Sequence, residues 1–112
     1  MPAPGMQMAF RCEATNCIIS ISGRITVDSA PALRALLLRH LESAAFDSLT
    51  VDLYEVEYVD TSCLAVLLEI LRAGRARKKT LYLSGLRDRP RFLLEATRIL
   101  PLFNEVSRDV PQ

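Results

Sequence analysis

The chain predicts an α/β domain. A mixed sheet of four to five strands with an N-terminal hairpin is expected, and three main helices packed largely on one face. Three observations carry that prediction. β-rich runs and helical leucine periods alternate along the chain. The strand–helix order after the hairpin implies right-handed crossovers and parallel neighbours. Each helix has a single apolar stripe, and Arg11, Ser20 and Ser22 give the hairpin a wetter face, so one side of the sheet is left to solvent.

Residues 1–6 read as a flexible arm, residues 7–108 as one domain and residues 109–112 as a polar tail. Met8-Ala9-Phe10-Arg11-Cys12 and Cys17-Ile18-Ile19-Ser20-Ile21-Ser22 form the hairpin, and Gly23 is expected to break its second strand. Asp28 or Ser29 is expected to cap the first helix, with Pro31 in its first turn. Leu33, Leu36, Leu37, Leu41 and Ala44 give that helix its apolar period. Leu49-Thr50-Val51-Asp52-Leu53 is the next strand, with Glu55 and Glu57 expected in a turn after it. The second helix is expected from about Thr61 to Arg75. Thr80-Leu81-Tyr82-Leu83-Ser84 is a strand ending at Gly85. Asp88 is expected to cap a third helix with Phe92, Leu93, Ala96 and Ile99 on its apolar face, stopped by Pro101. Leu102-Phe103-Asn104-Glu105-Val106 adds a short terminal strand.

Half of the residues are apolar and 24% are charged, with a formal net charge of +1. That balance makes no electrostatic claim on nucleic acid. No apolar run reaches the roughly 18 residues of a membrane span, so no membrane insertion is expected. The N-terminus lacks a secretory pattern, and a cytoplasmic location is expected. The basic run Arg72, Arg75, Arg77, Lys78, Lys79 straddles a helix end and reads as dipole complementation. Of the three cysteines, Cys12 and Cys17 flank a hairpin loop. A disulfide there competes with two reduced thiols, and the odd count and expected compartment favour the thiols. His40, the one histidine, is expected at the core edge between Leu37 and Leu41. No metal spacing, no phosphate-binding glycine loop and no Gly-x-Ser-x-Gly elbow occurs, so no metal, no cofactor and no enzymatic activity are expected.

Val59-Asp60-Thr61-Ser62-Cys63-Leu64 carries the most information. A helix opening on Asp-Thr-Ser places two hydroxyls and a carboxylate where backbone N–H groups are unpaired. Ser62 is a cap or a site where phosphate can be carried. With Asp60 or Thr61 as N-cap, Leu64, Leu67, Leu68 and Leu71 form one buried stripe with Ile70 beside it, and Ser62 is exposed. The opposite face carries Ser62, Ala65, Val66, Glu69, Arg72, Ala73 and Ala76. That mixture suits a docking surface, with shape from Ala and Val and orientation from Glu69 and Arg72; apolar scatter on an ordinary surface is the competing reading.

With Val51-Asp52-Leu53, Asp60-Thr61-Ser62-Cys63-Leu64, Ile21-Ser22-Gly23-Arg24-Ile25 and Leu81-Tyr82-Leu83-Ser84-Gly85-Leu86 in this order, the chain resembles the STAS domain family. The stand-alone anti-sigma factor antagonists are its nearest type. The resemblance runs from about residue 8 to 107. It implies that Ser62 is phosphorylated by an anti-sigma factor that is itself a serine kinase. It also implies that Asp60, Thr61, Cys63 and Asp28 support the site, and that a serine phosphatase resets it. The unphosphorylated protein would bind the kinase and free a sigma factor. The chain departs from the family pattern at Cys63, where glycine is usual; cysteine reads as a small packing residue, with a reactive thiol as the rival. The departure raises the alternative of a permanent STAS subunit, in a lipid-transport ABC system or a signalling scaffold.

Overall fold

A computed structural model describes residues 5–43 and 45–107; the expected tail, the first four residues of the expected arm, and Ala44 lie outside them. The strands are β1 (Met6–Glu13), β2 (Asn16–Ile25), β3 (Ser48–Val59), β4 (Thr80–Ser84) and β5 (Asn104–Glu105). They form one five-stranded sheet in the order β1-β2-β3-β4-β5. β1 pairs antiparallel with β2, and every later pairing is parallel. Helices α1 (Ala30–Leu41), α2 (Thr61–Ala76) and α3 (Asp88–Ala96) occupy the crossovers. Met6 is buried and opens β1, inside the stretch expected to be an arm.

Strand alternation sends Cys17, Ile19, Ile21 and Ile25 of β2, and Leu49, Val51 and Leu53 of β3, to one side. There they meet Leu33, Leu37 and Leu41 of α1 and Leu64, Leu67, Ile70 and Leu71 of α2 in a single core. The other face keeps Ile18, Ser20, Ser22, Thr50 and Tyr82 only half-buried. The helices therefore lie largely on one face, as the single stripes predict.

Two strands run further than expected. β2 passes through Gly23 instead of breaking there, and the ladder with β3 continues to Ile25↔Val59. Register shifts between Ser20/Ser22 and Gly23/Arg24 absorb the extra residues of β3. Gly23 has φ of 93°, and a Cβ there would collide with the Gly5 carbonyl oxygen. Glu55 and Glu57 thus lie within β3, not in a turn. Beyond Asp52↔Ser84, β4 no longer covers β3. The carbonyls of Tyr54 and Val59 instead accept from Arg87 Nε at 2.8 Å and Arg89 Nε at 3.3 Å. Arginines at the start of α3 stand in for the missing strand.

α3 is shorter and differently phased than its sequence suggested. It ends at Ala96, with Pro101 in a separate 3-10 turn (Leu100–Leu102). Pro90 and Leu94 are its buried residues, whereas Phe92 is 61% exposed. The run Phe92-Leu93-Leu94 allows more than one phase, and packing beside β3 selects Leu94. Asp88 does not cap: it is the first helical residue, and Arg87 is the N-cap. Asp28 does not cap α1 either, since the N-cap is Ser29 and no side chain closes that end. Within the basic run, Arg77 donates to Ala73 O in the last turn of α2, whereas Lys79 Nζ reaches the carbonyls of Ser43 and Phe46, in the loop after α1, at 2.6 Å each. The short final strand is present as β5.

Cys12 and Cys17 are joined by a disulfide, contrary to the expectation of reduced thiols. They are directly opposed in the β1–β2 register, with Cα atoms 4.0 Å apart. Sequence spacing shows a hairpin but not which residues face each other across it.

Leu67 is 2% exposed at the centre of the α2 stripe. Leu67→Ala is expected to cost about 2–5 kcal/mol in denaturant unfolding, and Leu68→Ala, at a half-buried position, less. A loss below about 1 kcal/mol at Leu67 would mean that the helix phase is wrong.

Candidate functional site

The C-terminal ends of β2 and β3 lie side by side because the two strands are parallel. Asp60 follows β3 directly, and its backbone N–H continues the ladder by donating to Ile25 O at 3.1 Å. Its extended backbone makes it the N-cap of α2. Asp60 Oδ1 accepts the Ser62 backbone N–H at 2.9 Å and also the Ser62 hydroxyl. Asp60 Oδ2 accepts the backbone N–H of Val27, in the turn before α1, at 3.0 Å. The Ser62 hydroxyl donation is the main reason that the Asp60 carboxyl lies below its usual pKa, with the backbone donors of Ser62 and Val27 adding to it.

Ser62 is half-buried rather than exposed, because its hydroxyl turns back to Asp60; Thr61 is the exposed hydroxyl of this turn. Asp28 is exposed in the neighbouring turn, its N–H held by Thr26 Oγ1 at 3.3 Å. Cys63 is 2% exposed, and burial pushes its thiol pKa up to about 12, with the Asp60 charge adding to the effect. It is a packing residue, and the reactive-thiol reading fails with that burial.

Helix phase divides the expected docking face. Ala65 and Arg72 are exposed and Glu69 is half-exposed, but Val66 is 5% exposed and belongs to the core. The buried arc of α2 extends through Cys63, Val66, Ile70 and Gly74, which leaves Leu68 at its edge. Tight packing of α2 onto the sheet turns this side inward. A shallow groove of about 590 Å³ remains, lined by Ala65, Leu68, Glu69, Arg72, Ala73 and Ala76. Glu69 also forms a two-bond pair with Arg34 of α1, with Nε–Oε1 and Nη2–Oε2 distances of 2.7 Å. The hydrogen bond from Arg34 holds the Glu69 carboxyl below its usual pKa. Arg34 was missed in the sequence; a basic residue on an exposed helix face carries no signal of a partner 35 positions away.

His40 sits at the core edge as expected, its ring stacked on Phe10 with centroids 3.7 Å apart. Burial and then the Arg39 charge lower its pKa. Among the described residues no cluster of three or more His, Cys, Asp or Glu could hold a metal ion. No helix among them is long and apolar enough to cross a membrane.

A family model described as "Mlab, STAS domain" matches residues 8–100. The chain belongs to the STAS domain family. Comparison with curated proteins finds no match. Among solved structures, this STAS domain is similar to an anti-sigma factor antagonist from Mycobacterium paratuberculosis. The TM-score is 0.81 at 19% identity, covering 94% of this chain and 89% of that one. It is also similar to the Bacillus cell fate determinant SpoIIAA in its phosphorylated form, with TM-score 0.73, 12% identity and 92% of each chain covered. A sulfate transporter family protein from Wolinella succinogenes matches with TM-score 0.70 at 19% identity, covering 84% of this chain and 75% of that one. At these identities the likeness establishes a shared fold.

Two outcomes are expected for the STAS domain at this site. Burial raises the Cys63 thiol pKa to about 12, so almost none of it is thiolate at pH 8. Iodoacetamide should therefore leave the oxidised native protein unlabelled and add one label after unfolding, as read by mass spectrometry; native labelling at Cys63 would contradict its burial. Ser62→Ala removes the largest cause of the lowered Asp60 pKa. Carboxyl NMR titration should show it rising towards the ordinary carboxylate range, while the backbone donors still hold it somewhat low. Ionised Asp60 contributes stability above its unfolded pKa and loses it as pH falls through its lower folded value, so the variant should lose that contribution at higher pH than the wild type.

Proposed function

We propose that this STAS domain is an anti-sigma factor antagonist that works in the cytoplasm as a binding module and not as a catalyst. Unphosphorylated, it sequesters an anti-sigma factor serine kinase and so releases a sigma factor. Phosphate on Ser62 ends that binding, and a serine phosphatase restores it. The observation that carries the reading is the position of Ser62 in the first turn of α2, one turn before Ala65 at the start of the groove.

The chemistry supports this use. A phosphate adds about −1.5 to −2 charges, and a helix N-terminus tolerates them without unfolding the domain. A partner packed on Ala65, Glu69 and Arg72 would then meet a new charge at the edge of its footprint. Ala65 and Ala73 let a partner backbone approach closely, and Arg72 and the Arg34–Glu69 pair give it orientation. Structures of the same fold include named anti-sigma factor antagonists and one in a phosphorylated form. Asp28 and Thr61 lie on the exposed rim of the same site.

A second reading is a STAS subunit docked permanently, in a lipid-transport ABC system or a signalling scaffold. Cys63 in place of the family's usual glycine favours it, as does a family description that names Mlab rather than an antagonist.

Titration of the cognate anti-sigma kinase with each variant, together with mass mapping of the phosphate, separates the two. Ser62→Asp should weaken binding at least tenfold, about 1.4 kcal/mol, and Ser62→Ala should bind but accept no phosphate. Unchanged affinity for Ser62→Asp, or phosphate on Thr61 instead, would favour the permanent subunit.

A further inference from the structure

The turn between β2 and α1 is closed almost entirely from within. Thr26 N donates to Ser29 Oγ at 2.9 Å, and Asp28 N to Thr26 Oγ1 at 3.3 Å. Ser29 N and Ala30 N both donate to Thr26 O, at 3.0 and 2.8 Å. The Ser29 hydroxyl, fully buried, donates to Arg24 O at 3.0 Å. Val27 N is different: its partner is Asp60 Oδ2, 33 residues away. Val27 itself is an exposed apolar side chain, at 69%, so side-chain burial does little to hold it in place.

The two oxygens of Asp60 thus serve two segments. Oδ1 holds the start of α2 through Ser62, and Oδ2 holds the turn through Val27. Both oxygens belong to one planar group that rotates about one torsion, so one bond cannot be re-aimed while the other stays fixed. Phosphorylation of Ser62 replaces the hydroxyl proton that Asp60 Oδ1 accepts with a phosphoryl group. The donor is lost, and an anion takes its place against an ionised carboxylate.

We propose that Asp60 is a positioning residue that reports the phosphorylation state of Ser62 to the turn at residues 26–29. Phosphate displaces the carboxylate, Oδ2 leaves Val27 N, and the turn that presents Val27 and Asp28 loosens. A docked partner then loses two surfaces at once, the head of α2 and the adjoining turn. This inference rests on Ser62 as the phosphate acceptor.

The test installs phosphoserine at position 62 by genetic code expansion, so that no kinase is needed. The readout is the ¹⁵N–¹H resonance and hydrogen exchange of the Val27 amide. Phosphorylated protein should show a shifted Val27 resonance and exchange at least about tenfold faster. Asp60→Asn should show the same Val27 change without phosphate: its amide can still cap α2 through oxygen but presents NH₂ to Val27 N. Ser62→Ala should leave Val27 as in the wild type. A Val27 amide unchanged by phosphate, or unchanged in Asp60→Asn, would overturn the coupling. Failure of a kinase to modify Ser62 would remove the proposed function but leave this measurement of the relay intact.

Discussion

The parallel pairing of β2 with β3 is the constraint on which the rest of the molecule depends. It runs from Asn16↔Ser48 to Ile25↔Val59 and gives both strands a common end. Parallel strands require a crossover, and α1 supplies it above the sheet. Because both strands finish together, the turn after β2 and the cap after β3 meet, and the Asp60 side chain can bond both segments. An antiparallel arrangement would place those two chain ends on opposite sides of the domain.

The length of β3 follows from the same pairing and creates its own problem. β2 accompanies β3 to Val59, but β4 stops at Ser84, opposite Asp52. The uncovered carbonyls need donors, and Arg87 and Arg89 provide them. Gly85 makes the sharp exit from β4 with φ of 69°. A Cβ there would come within 2.7 Å of Tyr54 N and collide with the Asp52 carboxylate. The start of α3 is thereby tied to the strand that delivers the Asp60 cap, so the site stands on regular elements rather than on free loops.

On α2 the division between core and surface is steep. Leu67 and Ile70 are sealed, and one step around the helix Ala65 and Arg72 are open to solvent. Three alanines, Ala65, Ala73 and Ala76, keep the groove shallow between Leu68, Glu69 and Arg72. The Arg34–Glu69 pair spans from α1 to this face, so the surface belongs to a helix pair and not to one helix. Such exposed pairs add little stability; their effect is to fix the direction in which charge is presented.

Hydrophobic periodicity and turn chemistry alone identified the hairpin, three helices, the parallel strands and the Asp-Thr-Ser helix start, because these depend on residues close in sequence. Leu64, Leu67 and Leu71 were legible as core from spacing, and His40 as an edge residue. Tertiary structure alone decided the matters that need a distant partner. It set the face of Val66 and the phase of α3, where neighbouring apolar residues permit more than one rotation and only packing chooses. It joined Cys12 to Cys17 through strand register, extended β3 by pairing Glu55, Val56, Tyr58 and Val59 with β2 while Glu57 falls in a register shift, and brought Arg34 to Glu69. Above all it carried the Val27 amide to Asp60: a carboxylate reads in sequence as a local cap, and its second oxygen has no sequence signature, since the chain reaches it only by folding back across a crossover.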